Sequence, residues 1–300
     1  MYKLLGIAAV VTAQLMISNP LHAQGQDFSK VQITTTDLGK GVHALFGAGG
    51  NLGVSAGEDG VFLIDDQYAP MSDKIKAAIE KISDKPVKFL INTHWHFDHT
   101  GGNENFGKEG AIIIAHDNVR KMMREDQLID FFSAKVPAAP KAALPIITFK
   151  DTTTFHMNGD TIVVKHLPPA HTTGDSVVYF HKANVLHTGD LFFNGIYPFI
   201  DIQNGGSVEG MIKNAGTILE MVNAETKIIP GHGPMATKQD VVAFQTMLTT
   251  LHDNVKALID EGKTKDQVVA ANPSASLDAK WANGFLKPDA FTGIVYDSLK

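Results

Sequence analysis

Thr93-His94-Trp95-His96-Phe97-Asp98-His99-Thr100-Gly101-Gly102 follows directly on the apolar run Val87 to Asn92, which places four potential metal ligands within six residues at the exit of an expected strand. With positions treated as independent, His-x-His-x-Asp-His arises by chance in roughly 0.002 of chains of this composition. A solvated polar loop is the plainer reading, and that frequency weighs against it. Side chains alternate along an extended segment, so His94 and His96 fall on one side, as ligands of one ion must. Asp98 and His99 lie past the turn and can face a second ion. The paired Gly101-Gly102 lets backbone come close to the site.

One cluster cannot close two metal shells, and three more candidates stand at strand ends. His171 lies in Pro168-Pro169-Ala170-His171-Thr172-Thr173-Gly174-Asp175, before the run Ser176 to His181. Asp190 follows Asn184 to His187 in His187-Thr188-Gly189-Asp190-Leu191-Phe192, and His232 follows Lys227 to Ile229 in Pro230-Gly231-His232-Gly233-Pro234. Singly, each reads as an ordinary turn residue. Together, with small neighbours at every strand exit, they form a set. The chain has no cysteine, so any metal must be held by imidazole and carboxylate, and no disulfide is available.

Outward from these motifs, short β-like runs come first: Val31 to Thr36, Gly41 to Phe46, Leu52 to Ala56 and Val61 to Asp65, a meander with Gly-rich turns. Ser72 is placed to cap a helix reaching about Ile82, stopped by Pro86. Strand Val87 to Asn92, strand Ala111 to Ala115 and a helix from Asp117 to about Glu125 follow. Pro137, Pro140 and Pro145 exclude regular helix or central strand from Phe131 to Pro145, which reads as an exposed loop. The second half repeats the order: strands near Thr152 to Phe155, Thr161 to His166, Ser176 to His181 and Asn184 to His187, a helix Ser207 to Val222, and a strand Lys227 to Ile229. A long amphipathic helix, Thr237 to Asp260, and two shorter helical segments finish the chain. Two β-rich halves closed by helices, with no linker between them, give an α+β chain with two sheets face to face and helices outside.

Composition bounds the rest. With 300 residues, 44% hydrophobic and 19% charged, the chain can bury a core and is neither disordered nor fibrous. A net charge of −6 without a basic cluster argues against nucleic acid as a partner. Lys3, the apolar run Leu4 to Ile17, Asn19-Pro20 and Ala23 read as a secretory signal, giving residues 1–23 as leader and 24–300 as a single domain. The run is 14 residues, short of the ~20 that span a bilayer. A periplasmic or secreted protein, off the membrane once the leader is cleaved, follows.

At these motifs the sequence resembles the metallo-β-lactamase superfamily, from about Val31 to Ala236. The resemblance implies a four-layer αββα sandwich with a dinuclear zinc site at one edge. By motif, His94, His96 and His171 would hold one zinc, Asp98, His99 and His232 the other, and Asp190 would bridge both. Asp65, closing the run Val61 to Asp65, matches an acidic residue that supports the ligands by hydrogen bonds. Asp190 stands where the best-known two-zinc β-lactamases carry cysteine, which makes the metal set look more like the glyoxalase II, lactonase and broad hydrolase branches. Two zinc ions (Zn2+) supply hydroxide at physiological pH. Asp98 would orient that metal-bound hydroxide as the catalytic carboxylate. No Ser-based nucleophile motif or phosphate-binding loop occurs.

The expected activity is therefore hydrolysis of a small-molecule ester, lactone, thioester or β-lactam. An iron-dependent redox or dioxygenase member of the same fold is an alternative, separated by metal analysis. A non-catalytic periplasmic metal-binding partner is another, favoured if a broad substrate panel shows no turnover. Of the remaining histidines, His43, His156, His166, His181 and His252 read as core or surface. His187 reads as a possible support for the ligands, and His116 as a cap or a packing group. Trp95, Phe97, Phe192, Phe193, Tyr197 and Phe199 flank the ligand loops as core or as pocket wall. Intact-mass measurement of the protein recovered after export is expected to give a chain beginning near Gln24. A mature protein that keeps Met1 or stays in membrane fractions would refute the leader.

Overall fold

A computed structural model describes residues 27–300. The expected leader, 1–23, lies outside the described residues. The first half runs β1 (Thr34–Gly39), β2 (Val42–Phe46), β3 (Leu52–Gly57), β4 (Gly60–Ile64), α1 (Ser72–Ile79), β5 (Val87–Asn92), α2 (Phe97–Thr100), α3 (Asn103–Lys108), β6 (Ile112–His116) and α4 (Asp117–Met123). A short hairpin, β7 (Gln127–Ile129) and β8 (Ala134–Val136), precedes β9 (Ile147–Phe149). The second half holds β10 (Thr152–Met157), β11 (Asp160–His166), β12 (Ser176–Phe180), β13 (Val185–His187), α5 (Val208–Met221) and β14 (Lys227–Ile229). It closes with α6 (Lys238–Asp260), α7 (Lys265–Ala270), α8 (Asp278–Trp281) and α9 (Pro288–Ser298).

Strand alternation builds the layers. The first sheet has the order β1-β2-β3-β4-β5-β6-β9, antiparallel up to β4 and parallel from β4 onward. The second has β10-β11-β12-β13-β14, with only β13 and β14 parallel. Along β4, Phe62 and Ile64 enter a core shared with Ile162, Val164, Val178 and Phe180 of the second sheet. The intervening Val61 and Leu63 pack against Ile75, Ile79 and Phe106 of α1 and α3. The second sheet repeats the logic: Val178 and Ile229 face inward, whereas Val177, Leu186 and Ile228 meet Met211, Ile218, Phe244 and Leu248 of α5 and α6. Period-two apolar residues on both faces of both sheets leave only a helix-sheet-sheet-helix solution. This is the expected αββα sandwich.

The differences from the sequence reading have local causes. The stretch Phe131 to Pro145 is not a plain loop, since Ala134–Val136 pairs with Gln127–Ile129 before the prolines begin. β9 extends the first sheet just after Pro145, too short a run to carry a period. Ser72 lies inside α1, with Met71 at its N-cap, and its hydroxyl accepts from Asn105 Nδ2. Three helices rather than two follow α6. Among the described residues no helix is long and apolar enough to cross a membrane.

Phe62 is fully buried between the sheets, touching Phe89 of its own sheet and Phe155 and Phe180 of the other. Phe62→Ala leaves a void that β strands cannot close without breaking register. It is expected to cost about 3–5 kcal/mol, read from the midpoint of urea unfolding. A loss below ~1 kcal/mol would mean that the sheets do not share this core.

Candidate metal centre

All seven candidate ligands sit on loops leaving the strands at one edge of the sandwich. His94 and His96 follow β5, Asp98 and His99 occupy the single turn α2, and His171 lies on the loop entering β12. Asp190 follows β13 and His232 follows β14. β4 and β5 run parallel, as do β13 and β14, so both sheets direct carboxyl ends of strands to the same edge, where α/β folds place ligands. Thr93 O accepts from Ser176 N at 2.9 Å and ties the two sheets directly beneath the cluster.

Three groups of potential donor atoms result, each within 4.8 Å: His94-His96-His171, His94-His99-Asp190, and Asp98-His99-His232. In the first, His171 Nδ1–H donates to Phe199 O (2.8 Å) and His96 Nε2–H donates to Asp201 Oδ2 (2.9 Å). Each acceptor can only accept, so both opposite nitrogens carry bare lone pairs. Those nitrogens, His96 Nδ1 and His171 Nε2, stand 2.8 Å apart. Thr93 Oγ1 donates to Asp65 Oδ2 (2.8 Å) and accepts from His94 Nδ1–H (3.1 Å), which leaves His94 Nε2 buried without any partner. Three convergent lone pairs lacking a donor fit a cation, and each ring is held through its far nitrogen as metal-ligating imidazoles are.

Asp190 lies between the groups. Its Oδ2 is 3.3 Å from His171 Nε2 and 3.4 Å from His232 Nε2, and its Oδ1 is 3.0 Å from His99 Nε2 but out of hydrogen-bond alignment. Asp98 Oδ2 is 3.3 Å from His232 Nε2. Asp65 receives Thr93 N (2.8 Å), Thr93 Oγ1 and, at Oδ2, His99 Nδ1–H (2.8 Å), fixing both ligand segments at once. Burial holds the His171 imidazolium down at about 4 and His94 well below its ordinary range, so both are neutral and ready to coordinate. Burial would also lower His232, but Asp190 and Asp98 raise it to about 9. The carboxylate half of the cluster thus draws positive charge.

The sequence profile of the Metallo-beta-lactamase superfamily matches residues 48–232. That span is well over half of the chain and contains every residue of the cluster. The chain belongs to the metallo-beta-lactamase superfamily. Its members' coarse chemistry, metal-dependent hydrolysis, applies to it. Hydroxyacylglutathione hydrolase GloC of Haemophilus influenzae is 28% identical over 174 residues, 55% of this chain and 77% of that protein. Acyl-coenzyme A thioesterase MBLAC2 of Bos taurus is 22% identical over 173 residues, 52% of this chain and 60% of that protein. In fold, the chain is similar to a metallo-beta-lactamase from Pontibacter korlensis, with TM-score 0.60 and 18% identity over 73% of this chain and 99% of that one.

Other residues of this superfamily member support the cluster. Asp201, absent from the sequence reading, is buried against His96 and also receives Asn204 Nδ2 (2.9 Å). Its only signal was a carboxylate among apolar neighbours, 105 residues from its partner. A Cβ on Gly50 would strike the His99 imidazole, and one on Gly231 would strike Asp190 Oδ1, so these two glycines admit the ligands. Gly101 and Gly102 do something else: they pack on the Asp66–Gln67 backbone, and Gly102 N donates to Asp66 Oδ1 (2.8 Å).

His187 bridges the sheets, with Nε2 on Asn51 O (3.0 Å) and Nδ1 receiving Gly189 N (3.1 Å), just upstream of Asp190. His116 caps α4 by accepting Asn118 N and stacks on His166 with centroids 3.7 Å apart. Trp95, Phe192, Phe193, Tyr197 and Phe199 are core, yet Phe193 stacks on His232 (5.1 Å) and Phe199 lies on both His96 (5.8 Å) and His171 (6.0 Å).

Asp201→Asn keeps the shape and removes the charge that orients His96. Divalent-metal affinity measured by chelator competition is expected to fall ~10–100-fold, with the melting temperature of the metal-free protein nearly unchanged. A fall in stability with unaltered metal affinity would make Asp201 a loop residue only.

Proposed function

We propose that this chain is a dinuclear zinc hydrolase of a small acyl compound, an ester, lactone, thioester or β-lactam. The observation that carries the reading is the position of Asp190, with one carboxylate facing His171, His232 and His99 and so touching both donor groups. His94, His96 and His171 would hold one ion, Asp98, His99 and His232 the other, and Asp190 would be shared. A donor set of imidazole and carboxylate suits zinc. Zinc held in this way supplies a hydroxide nucleophile near neutral pH and polarises the scissile carbonyl. The names of two relatives, a hydroxyacylglutathione hydrolase and an acyl-coenzyme A thioesterase, place thioesters first on a substrate panel.

The chain's own residues divide the remaining work. Burial would raise Asp98, but the His99 and His232 imidazoles bring its carboxyl down to about 2, so Oδ2 is ionised at any working pH and can orient the attacking water by accepting a hydrogen bond from it. Asp98 and His232 side chains remain about one-fifth exposed, whereas His94, His99 and His171 are almost completely enclosed. Substrate therefore enters over the Asp98–His232 side, and the closed side keeps bulk water from the imidazoles. Burial and the nearby Asp98 and Asp190 charges push the Tyr68 phenol well above its ordinary range. We place the enzyme in the periplasm or outside the cell, on the strength of Leu4 to Ile17.

Metal content and turnover on an ester, lactone, thioester and β-lactam panel test the reading together. Two zinc ions per chain and complete loss of turnover with chelator, restored by zinc, are expected. Iron as the bound metal, or turnover indifferent to chelation, would refute it. A sharper test is Asp190→Asn, which keeps size and turn-forming ability but deletes the shared charge. It is expected to fold normally, bind the second zinc at least ~10-fold more weakly and lose most turnover. Wild-type stoichiometry and rate would show that Asp190 bridges nothing.

A further inference from the structure

The hairpin β7–β8 presents an apolar surface that the metal cluster does not use. Phe131 and Phe132 at its tip are 44% and 43% exposed, and Phe285, from the segment between α8 and α9, is 52% exposed. Isolated exposed apolar residues need no explanation, but these rings touch one another. Phe132 lies 6.2 Å from Phe285 and 4.9 Å from Phe131. Both hairpin rings rest on Phe199, at 5.4 Å and 4.9 Å between centroids. Phe199 in turn packs on His96 and His171. A chain of ring contacts thus runs from two candidate ligand rings through the buried Phe199 to the exposed rings.

The surface is also held in place by polar contacts. Asp130 N donates to Gln203 Oε1 (3.1 Å) and Asn204 Nδ2 donates to Leu128 O (3.3 Å). Both bonds fix the hairpin to the loop that carries Asp201, the carboxylate on His96. Leu128, 39% exposed, adds an aliphatic side chain beside them. Asp98 and His232, each about one-fifth exposed, form the polar part of the approach to the cluster. A departing alcohol, thiol or amine must collect a proton and leave through water, which suits the polar side. The acyl part is left for the aromatic side.

We propose that Phe131, Phe132 and Phe285, backed by Phe199, form a landing for the acyl portion of the substrate, which is accordingly an alkyl or aryl acyl group several carbons long. The inference rests on the hydrolase reading for the identity of that group as an acyl substituent, and its test reads binding rather than turnover. The probes are straight-chain carboxylates from acetate to decanoate, the acyl products themselves, titrated calorimetrically into the zinc-loaded protein.

Affinity is expected to rise about two- to fourfold per added methylene until the rings are covered, with an increasingly negative heat-capacity change. The double variant Phe132→Ser/Phe285→Ser alters only exposed side chains, and it should lower octanoate affinity at least ~10-fold and flatten the series. Affinity independent of chain length in the wild type, or a length dependence that survives the double substitution, would overturn the landing. So would a wild-type dimer in sedimentation that the double variant dissolves, because the rings would then meet a second copy. Length-dependent binding without metal-dependent turnover of any acyl substrate would uphold the landing and sink the hydrolase reading instead.

Discussion

His96 Nδ1 and His171 Nε2, 2.8 Å apart with both lone pairs turned inward, define what this edge of the protein requires. Neither ring can escape by changing tautomer, because Asp201 and the Phe199 carbonyl occupy the far nitrogens. Nor is charging His171 easy, since burial disfavours its imidazolium, as it does that of the neighbouring His94. The arrangement is satisfied by a cation between the nitrogens. Much of the surrounding loop structure makes sense as the scaffold that keeps those lone pairs facing.

The neighbouring half of the cluster obeys the opposite electrostatics. Asp98 and Asp190 face His99 and His232 across 3.0 to 3.8 Å, and in the absence of metal the imidazoles there take up protons. A divalent ion would displace those protons, so uptake at this half releases acid and depends on pH more steeply than uptake at the three-imidazole half. One fold edge thus carries two groups of donors that differ in proton cost, with Asp190 in contact with each.

Much of this was legible in the sequence because its signals are local. The stretch Val87 to Asn92 was placed as a strand without error, and His94 through His99 follow it within a turn. Lys227 to Ile229 ended where expected, and so did the long helix at Asp260, whose amphipathic period runs on from the Thr237–Asp240 capping box at its start. Asp201 was invisible because it meets His96 only through tertiary folding and stands in no motif. β9 has three residues, too few for periodicity to register, and gains its stability from β6 alongside. Gly101 and Gly102 were expected to let backbone come close, and the backbone that does so is the Asp66–Gln67 turn, which pattern reading could not name because it knows what lies next in sequence but not what lies above. The hairpin β7–β8 escaped notice for a related reason, since prolines further along the segment masked a short pairing before them.

The donors are divided between the two sheets: His94, His96, Asp98 and His99 come from the first, and His171, Asp190 and His232 from the second. Any ion shared across that division is a rivet through the sandwich. Parting the sheets at this edge would mean ejecting it, so metal at a thousandfold excess over its dissociation constant would oppose such opening by about 4 kcal/mol. The hydrophobic layer around Phe62 closes the interior of the seam, and a bound ion would close its rim. Starved of metal, the protein would keep its core and begin to gape at the edge that carries the donors.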